Sequence, residues 1–130
     1  MRPSGFRIVV AVLAAAFALS APALTFKELA GRYVGHRTEA TPFGVRRFKE
    51  IDVFEPDGTL HSFVYFNGIL VFYSLENLEM NEDGTFSTGL GEGVIRLDGK
   101  HLEITGYFPT YGTTVNIQER QTDKPAHWQH

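Results

Sequence analysis

An all-β antiparallel up-and-down barrel of about eight strands, with a short N-terminal helical turn, is the fold this sequence predicts. Three observations lead there. From residue 32 onward the chain reads as runs rich in β-branched and aromatic residues, cut at short intervals by Gly, Asn, Asp and Pro. No cysteine occurs in the 130 residues, so a core without disulfides must hold the domain. Consecutive antiparallel strands leave two open edges unless the sheet closes on itself, and closure removes that aggregation hazard.

The chain opens on "MRPSGFRIVVAVLAAAFALSAPA". Arg2 and Arg7 precede an apolar stretch from Ile8 to Leu19, and small residues follow, which is the order of a secretory signal peptide. Cleavage falls after Ala21-Pro22-Ala23, with Ser20 as the other option. Residues 1–23 are thus expected to be the signal, 24–122 the barrel domain and 123–130 a disordered tail. The 12-residue apolar stretch is short of the roughly 20 residues that cross a bilayer, and no second stretch of that length follows. The mature chain is therefore expected to lack a transmembrane segment and to be periplasmic or secreted. Losing Arg2 and Arg7 leaves ten cations against fifteen acids, a net charge of about −5 that argues against nucleic acid as a partner.

In order, "LTFKELAG" places Thr25 and Glu28 at capping-box spacing, which predicts one or two helical turns ending near Gly31. Strands follow at roughly 32–38, 45–54, 59–66, 69–79, 85–90, 93–97, 100–106 and 113–120. Pro56-Asp57-Gly58, Asn67-Gly68, Asp83-Gly84 and Asp98-Gly99 supply the turn chemistry between them. Asn67-Gly68 is a hairpin signal, because both central residues of a type I′ turn need positive φ. A regular two-residue loop pairs Phe66 with Ile69, Val64 with Val71 and Ser62 with Tyr73 on one face. The other face then carries Tyr65 with Leu70, Phe63 with Phe72 and His61 with Ser74. Both faces are apolar, so something should cover the second. By contrast, the Asp98-Gly99 hairpin is one-sided, with Ile95, Leu97, Leu102 and Ile104 opposed by Arg96, His101 and Glu103. The last run alternates similarly, Val115 and Ile117 against Thr114, Asn116, Gln118 and Arg120.

The helical turn leads into "LAGRYVG", residues 29–35. This resembles the opening of lipocalin-like (calycin-like) barrels, in which a short helix precedes a Gly-x-Trp signature at the first strand. Gly31 matches the glycine, and Tyr33 stands where the tryptophan would be. The resemblance implies that Arg120, near the end of the last strand, packs over the Tyr33 ring and closes the base. The chain is shorter than typical lipocalins.

No motif points to catalysis. The histidines show no HExxH or comparable metal spacing, the serines have no Gly-x-Ser-x-Gly setting, and neither metal nor cofactor is expected. Glu50 and Asp52 could form a carboxylate pair, although Arg47 and Lys49 alternate with them and an ion-pair ladder is the simpler reading. Six of the ten cations precede residue 50, which fits cross-strand pairing or a basic rim for an anionic group. The expected function is binding of a small apolar or amphipathic ligand, with an anionic head group as one option. Phe63, Tyr65, Leu70 and Phe72 are expected to line the cavity, with His61 as a hydrogen-bonding group. Arg46 or Arg47 would meet an anionic head group at the rim, and Tyr107, Phe108 and Tyr111 would form an aromatic lip. The alternative is an envelope interaction module that uses the 61–74 face as a homodimer or partner interface.

Overall fold

The computed structural model describes residues 24–110 and 112–123. The expected signal segment, Tyr111 and residues 124–130 of the expected tail lie outside the described residues. Helix α1 is one turn, Phe26–Leu29, held by the expected capping box. The Glu28 amide donates to Thr25 Oγ1 at 3.1 Å, and the Thr25 amide donates to Glu28 Oε1 at 2.9 Å. Nine strands follow: β1 Gly31–Thr41, β2 Gly44–Phe54, β3 Thr59–Phe66, β4 Ile69–Asn77, β5 Glu79–Met80, β6 Thr85–Ser87, β7 Glu92–Asp98, β8 His101–Phe108 and β9 Gly112–Thr122.

They form one antiparallel sheet in the order β4-β3-β2-β1-β9-β8-β7-β6-β5, curled into a half-barrel. The expected eight-stranded closed barrel is thus corrected to an open one of nine strands. The reason lies in the fourth run. Alternation along the sheet makes β4 and β5 run the same way, so residues 69–80 are one bent strand broken at Leu78. Leu78 turns into the core at 5% exposure, and its amide donates to the Gly58 carbonyl at 2.9 Å rather than to a ladder. Before the break the run pairs with β3, and after it with β6. The two halves are not bonded to each other, so a seam stays open.

Asn67 and Gly68 have φ of 51° and 78°, as a type I′ turn requires. The hairpin starts in the expected register, Phe66 opposite Ile69 and Tyr65 opposite Leu70, and then shifts. Val64 pairs with Phe72, which leaves Val71 as an extra residue on β4. This is a bulge, and it exchanges the faces of everything beyond it. Ser62 accordingly meets Ser74, Phe63 meets Tyr73 and His61 meets Leu75.

Two apolar clusters result. The interior one gathers Leu29, Tyr33, Phe54, Leu78, Phe86 and Leu102 near the end that α1 covers. Tyr33 crosses Phe54 edge-on, with ring centroids 5.4 Å apart. The smaller cluster, Ile51, Val53 and Phe63 with Val34 and Tyr65 packed against it, lies on the outer face of β1–β3. At the covered end, Tyr33 Oη donates to the Leu29 carbonyl at 2.7 Å. The same oxygen accepts from Arg120 Nε at 3.0 Å and Nη2 at 2.7 Å. The guanidinium lies 5.3 Å from the Tyr33 ring centroid, and its Nη2 also donates to the Glu28 carbonyl. A Cβ on Gly31, whose φ is +147°, would come within 2.4 Å of the Thr122 carbonyl oxygen, so only glycine fits this closure.

Candidate ligand site in the half-barrel

Strands β1, β2 and β9 turn polar side chains inward. Thr114, Asn116 and Gln118 are buried at 0%, 5% and 1%, while Val115 and Ile117 stand outside at 38% and 41%. This reverses the expectation that the apolar face of the last strand would be the core face. The β1–β9 register puts Tyr33, Gly35, Arg37 and Glu39 on the same inner side, and the β1–β2 register adds Arg46, Phe48, Glu50 and Asp52. Gly35 permits the close approach of β9, because a Cβ there would lie 1.9 Å from the Ile117 carbonyl oxygen. Arg47 and Lys49 point outward, since successive strand residues alternate faces. The expected ion-pair ladder of these two with Glu50 and Asp52 is therefore absent.

Inside, Arg37 Nη2 sits 3.1 Å from Glu39 Oε2 and its Nε 3.4 Å from Glu50 Oε1. Arg46, mostly exposed at the rim, reaches Glu39 Oε1 at 3.2 Å. Both guanidinium groups lie 5.8 Å from the Phe48 ring centroid. Burial pushes the Glu50 carboxyl well above the usual range, and the adjacent Asp52 charge raises it further. Asp52 is also raised by burial, but hydrogen bonds from Glu50, Ser62 and Gln118 pull it back. Glu50 is thus the member of the pair pushed further toward its protonated form. Asp52 Oδ1, Thr114 Oγ1, Asn116 Oδ1 and Gln118 Oε1 are buried without a hydrogen-bond partner among the described residues. Such atoms each carry an unreturned desolvation cost of about 1–3 kcal/mol.

Arg37, Glu50, Asp52 and Asn116 form one wall of a cavity. Glu50, Asp52, Ser62, Ser74 and Asn116 are its polar lining, and Phe72, Phe86, Leu90, Ile104 and Phe108 its apolar lining. Its volume is about 50 Å³, and it opens to solvent. That is room for roughly three to five waters at 10–15 Å³ each. Phe72, Ser74 and Glu76 on β4 and Thr88 and Leu90 beyond β6 line it from either side of the open seam.

Of the residues expected to bind ligand, Phe72 lines this cavity. His61, Phe63, Tyr65 and Leu70 stand on the outer face instead. For His61 and Phe63 the pairing puts Leu75 and Tyr73 opposite, in place of Ser74 and Phe72. His61 Nε2 is 2.5 Å from Glu55 Oε2, and its Nδ1 is 3.1 Å from Tyr73 Oη. Arg46 lies at the rim tied to Glu39, and Arg47 is outside. Of the expected lip, Phe108 faces in and Tyr107 faces out, 46% exposed. Sequence reasoning missed Arg37, Glu39, Asn116 and Gln118. The available signal was polar residues two apart on three separate runs, at 37 and 39, 50 and 52, and 114 to 118. Among the described residues, no group of three or more His, Asp and Glu is placed to hold a metal. Comparison with protein-family models, curated proteins and solved structures finds no match.

Proposed function

We propose that this chain is an exported, lipocalin-like binding protein whose half-barrel takes a small amphipathic molecule, with the apolar part at the seam and a hydrogen-bond donor inside. The observation that carries this reading is the pair of unpartnered buried oxygens, Asp52 Oδ1 and Asn116 Oδ1, in a cavity whose other wall is apolar. Partnerless acceptors are rare in folded proteins and call for water or a ligand donor. The helical turn, Gly31, and the Tyr33–Arg120 contact at the covered end support the lipocalin-like assignment. Because the interior carries three carboxyl groups against Arg37, with Arg46 at the rim, a hydroxyl or amine suits it better than an anionic head.

The test is native mass spectrometry of the protein purified from its host, followed by calorimetry with a medium-chain alkylamine, alcohol and carboxylate. The amine or alcohol should bind and the carboxylate should not. Phe72→Ala should weaken binding roughly tenfold, through loss of apolar contact. Leu70→Ala, on the outer face, should leave it unchanged. Equal loss in both variants, or a preference for the carboxylate, refutes the reading.

A second reading rests on a separate observation. The unpaired edge strand β4 exposes Ile69, Leu70, Val71, Tyr73 and Leu75 at 45–67%. Edges of this kind invite pairing with another chain, here a homodimer across β4. Sedimentation showing a dimer that Val71→Lys dissociates supports it, and a monomer at all concentrations removes it.

A further inference from the structure

We propose that the β1–β2 hairpin tip docks on an anionic phospholipid surface, with Phe43 and Val45 entering the acyl boundary and Arg47 and Lys49 meeting the phosphates. The inference is independent of the interior site. Phe43 is 99% exposed and Val45 72% exposed, at the tip of two 11-residue strands. A phenylalanine in that position packs nothing in the monomer and gains only by burial elsewhere. Behind it, the outer face of β2 presents Val45, Arg47 and Lys49 in succession, about 7 Å apart. Apolar residues that settle about 5–10 Å into a bilayer interface would bring these cations to the headgroup level.

Charge supports the choice of occupant. Neither Arg47 nor Lys49 has an ion-pair partner among the described residues, whereas Arg46 is taken up by Glu39. The acids of these strands, Glu39, Glu50 and Asp52, all point into the barrel. The outer face beside the tip is therefore basic without acids. Arg32, His36, Arg47, Lys49 and Tyr65 border a groove of about 570 Å³ there, closed at one end by the Asn67-Gly68 turn. That turn lies at the same end of the barrel and adds exposed Phe66 and Ile69. The turns at the opposite end carry Glu55, Asp57, Glu82, Asp83 and Asp98 against the one cation Lys100. The resulting axial asymmetry orients the hairpin tip toward a negative surface.

A local probe tests this without interference from the apolar stretch at residues 8–19. Phe43→Trp is made in a Trp128→Phe background, since Trp128 is the chain's one tryptophan. With vesicles of phosphatidylglycerol and phosphatidylcholine, the emission of the introduced indole should shift to the blue. Bromine-labelled acyl chains should quench it. Arg47→Gln with Lys49→Gln should lower the partition coefficient roughly thirtyfold, at about 1 kcal/mol per cation, and high salt should weaken binding. Water-like emission with anionic vesicles overturns the proposal, as does an equal shift with phosphatidylcholine alone. A blue shift already present without vesicles, in a dimer, assigns the tip to a second copy and also overturns it.

Discussion

Removing one oxygen at the covered end of the barrel tests the closure most directly. Tyr33 is fully buried, and its hydroxyl is a hub: it donates to the Leu29 carbonyl and accepts twice from Arg120. Tyr33→Phe keeps the ring, its edge-on contact with Phe54 and its position under the guanidinium, but deletes all three hydrogen bonds. Hydrogen bonds to a charged donor contribute about 1.5–3 kcal/mol and a neutral one about 0.5–1.5. Arg120 retains the Glu28 carbonyl as an acceptor, so the net loss should fall near 2–3 kcal/mol. For a domain of this size that corresponds to a melting point roughly 10–20 °C lower. Urea unfolding followed by far-UV circular dichroism measures the change. A double-mutant cycle with Arg120→Met should return a coupling of about 1–2 kcal/mol. Tyr33→Trp, the residue of the lipocalin-like signature, should also destabilise, because an indole N–H can donate but cannot accept from Arg120. A loss under about 0.5 kcal/mol for Tyr33→Phe, or a coupling near zero, refutes the hub.

Two further outcomes follow from the inner wall. Glu50 has a folded pKa raised above its unfolded value, so its contribution to stability is fully present at acid pH and is lost as pH rises from the ordinary carboxylate range through the raised pKa. Glu50→Gln should remove most of that decline while keeping a donor toward Asp52, and urea midpoints across pH should flatten. An unchanged slope assigns the dependence elsewhere. Gly35→Ala puts a Cβ 1.9 Å from the Ile117 carbonyl oxygen and 2.6 Å from Gln118 Cα, both backbone atoms of β9. It should cost about 2–4 kcal/mol by prying β1 from β9, and a change within about 0.5 kcal/mol in the same unfolding assay would contradict this close approach.

Much of the local structure was legible in advance. The capping box at Thr25 and Glu28, the Asn67-Gly68 turn and the one-sided Asp98-Gly99 hairpin all follow from short-range chemistry. Each is decided by residues within a few positions of one another, and the structure contains each of them. The inner wall was not legible in the same way. Period-two alternation in β1, β2 and β9 separates two faces, but it does not say which one turns inward. Assigning the apolar face to the core succeeded at Ile95, Leu97, Leu102 and Ile104 and failed at Val115 and Ile117. There the partner strands place Thr114, Asn116 and Gln118 beside Arg37, Glu50 and Asp52, and the cavity admits the polar face.

The sequence by itself determined where the turns fall and most strands begin, that an N-terminal helical turn precedes them, and that no disulfide assists them. These depend on backbone preferences and side chains close in the chain. Only the tertiary structure decided that Val71 bulges, that Leu78 breaks the fourth run, and that the barrel therefore stays open along β4. A bulge is a mismatch between two strands, and a seam is a mismatch among all of them, so neither is a property of any one segment. One extra residue on β4 parted Phe72 from Phe63 and brought it to the cavity, because every β4 side chain beyond a one-residue shift changes face, while the β2–β3 register keeps His61 and Phe63 outside with Tyr65.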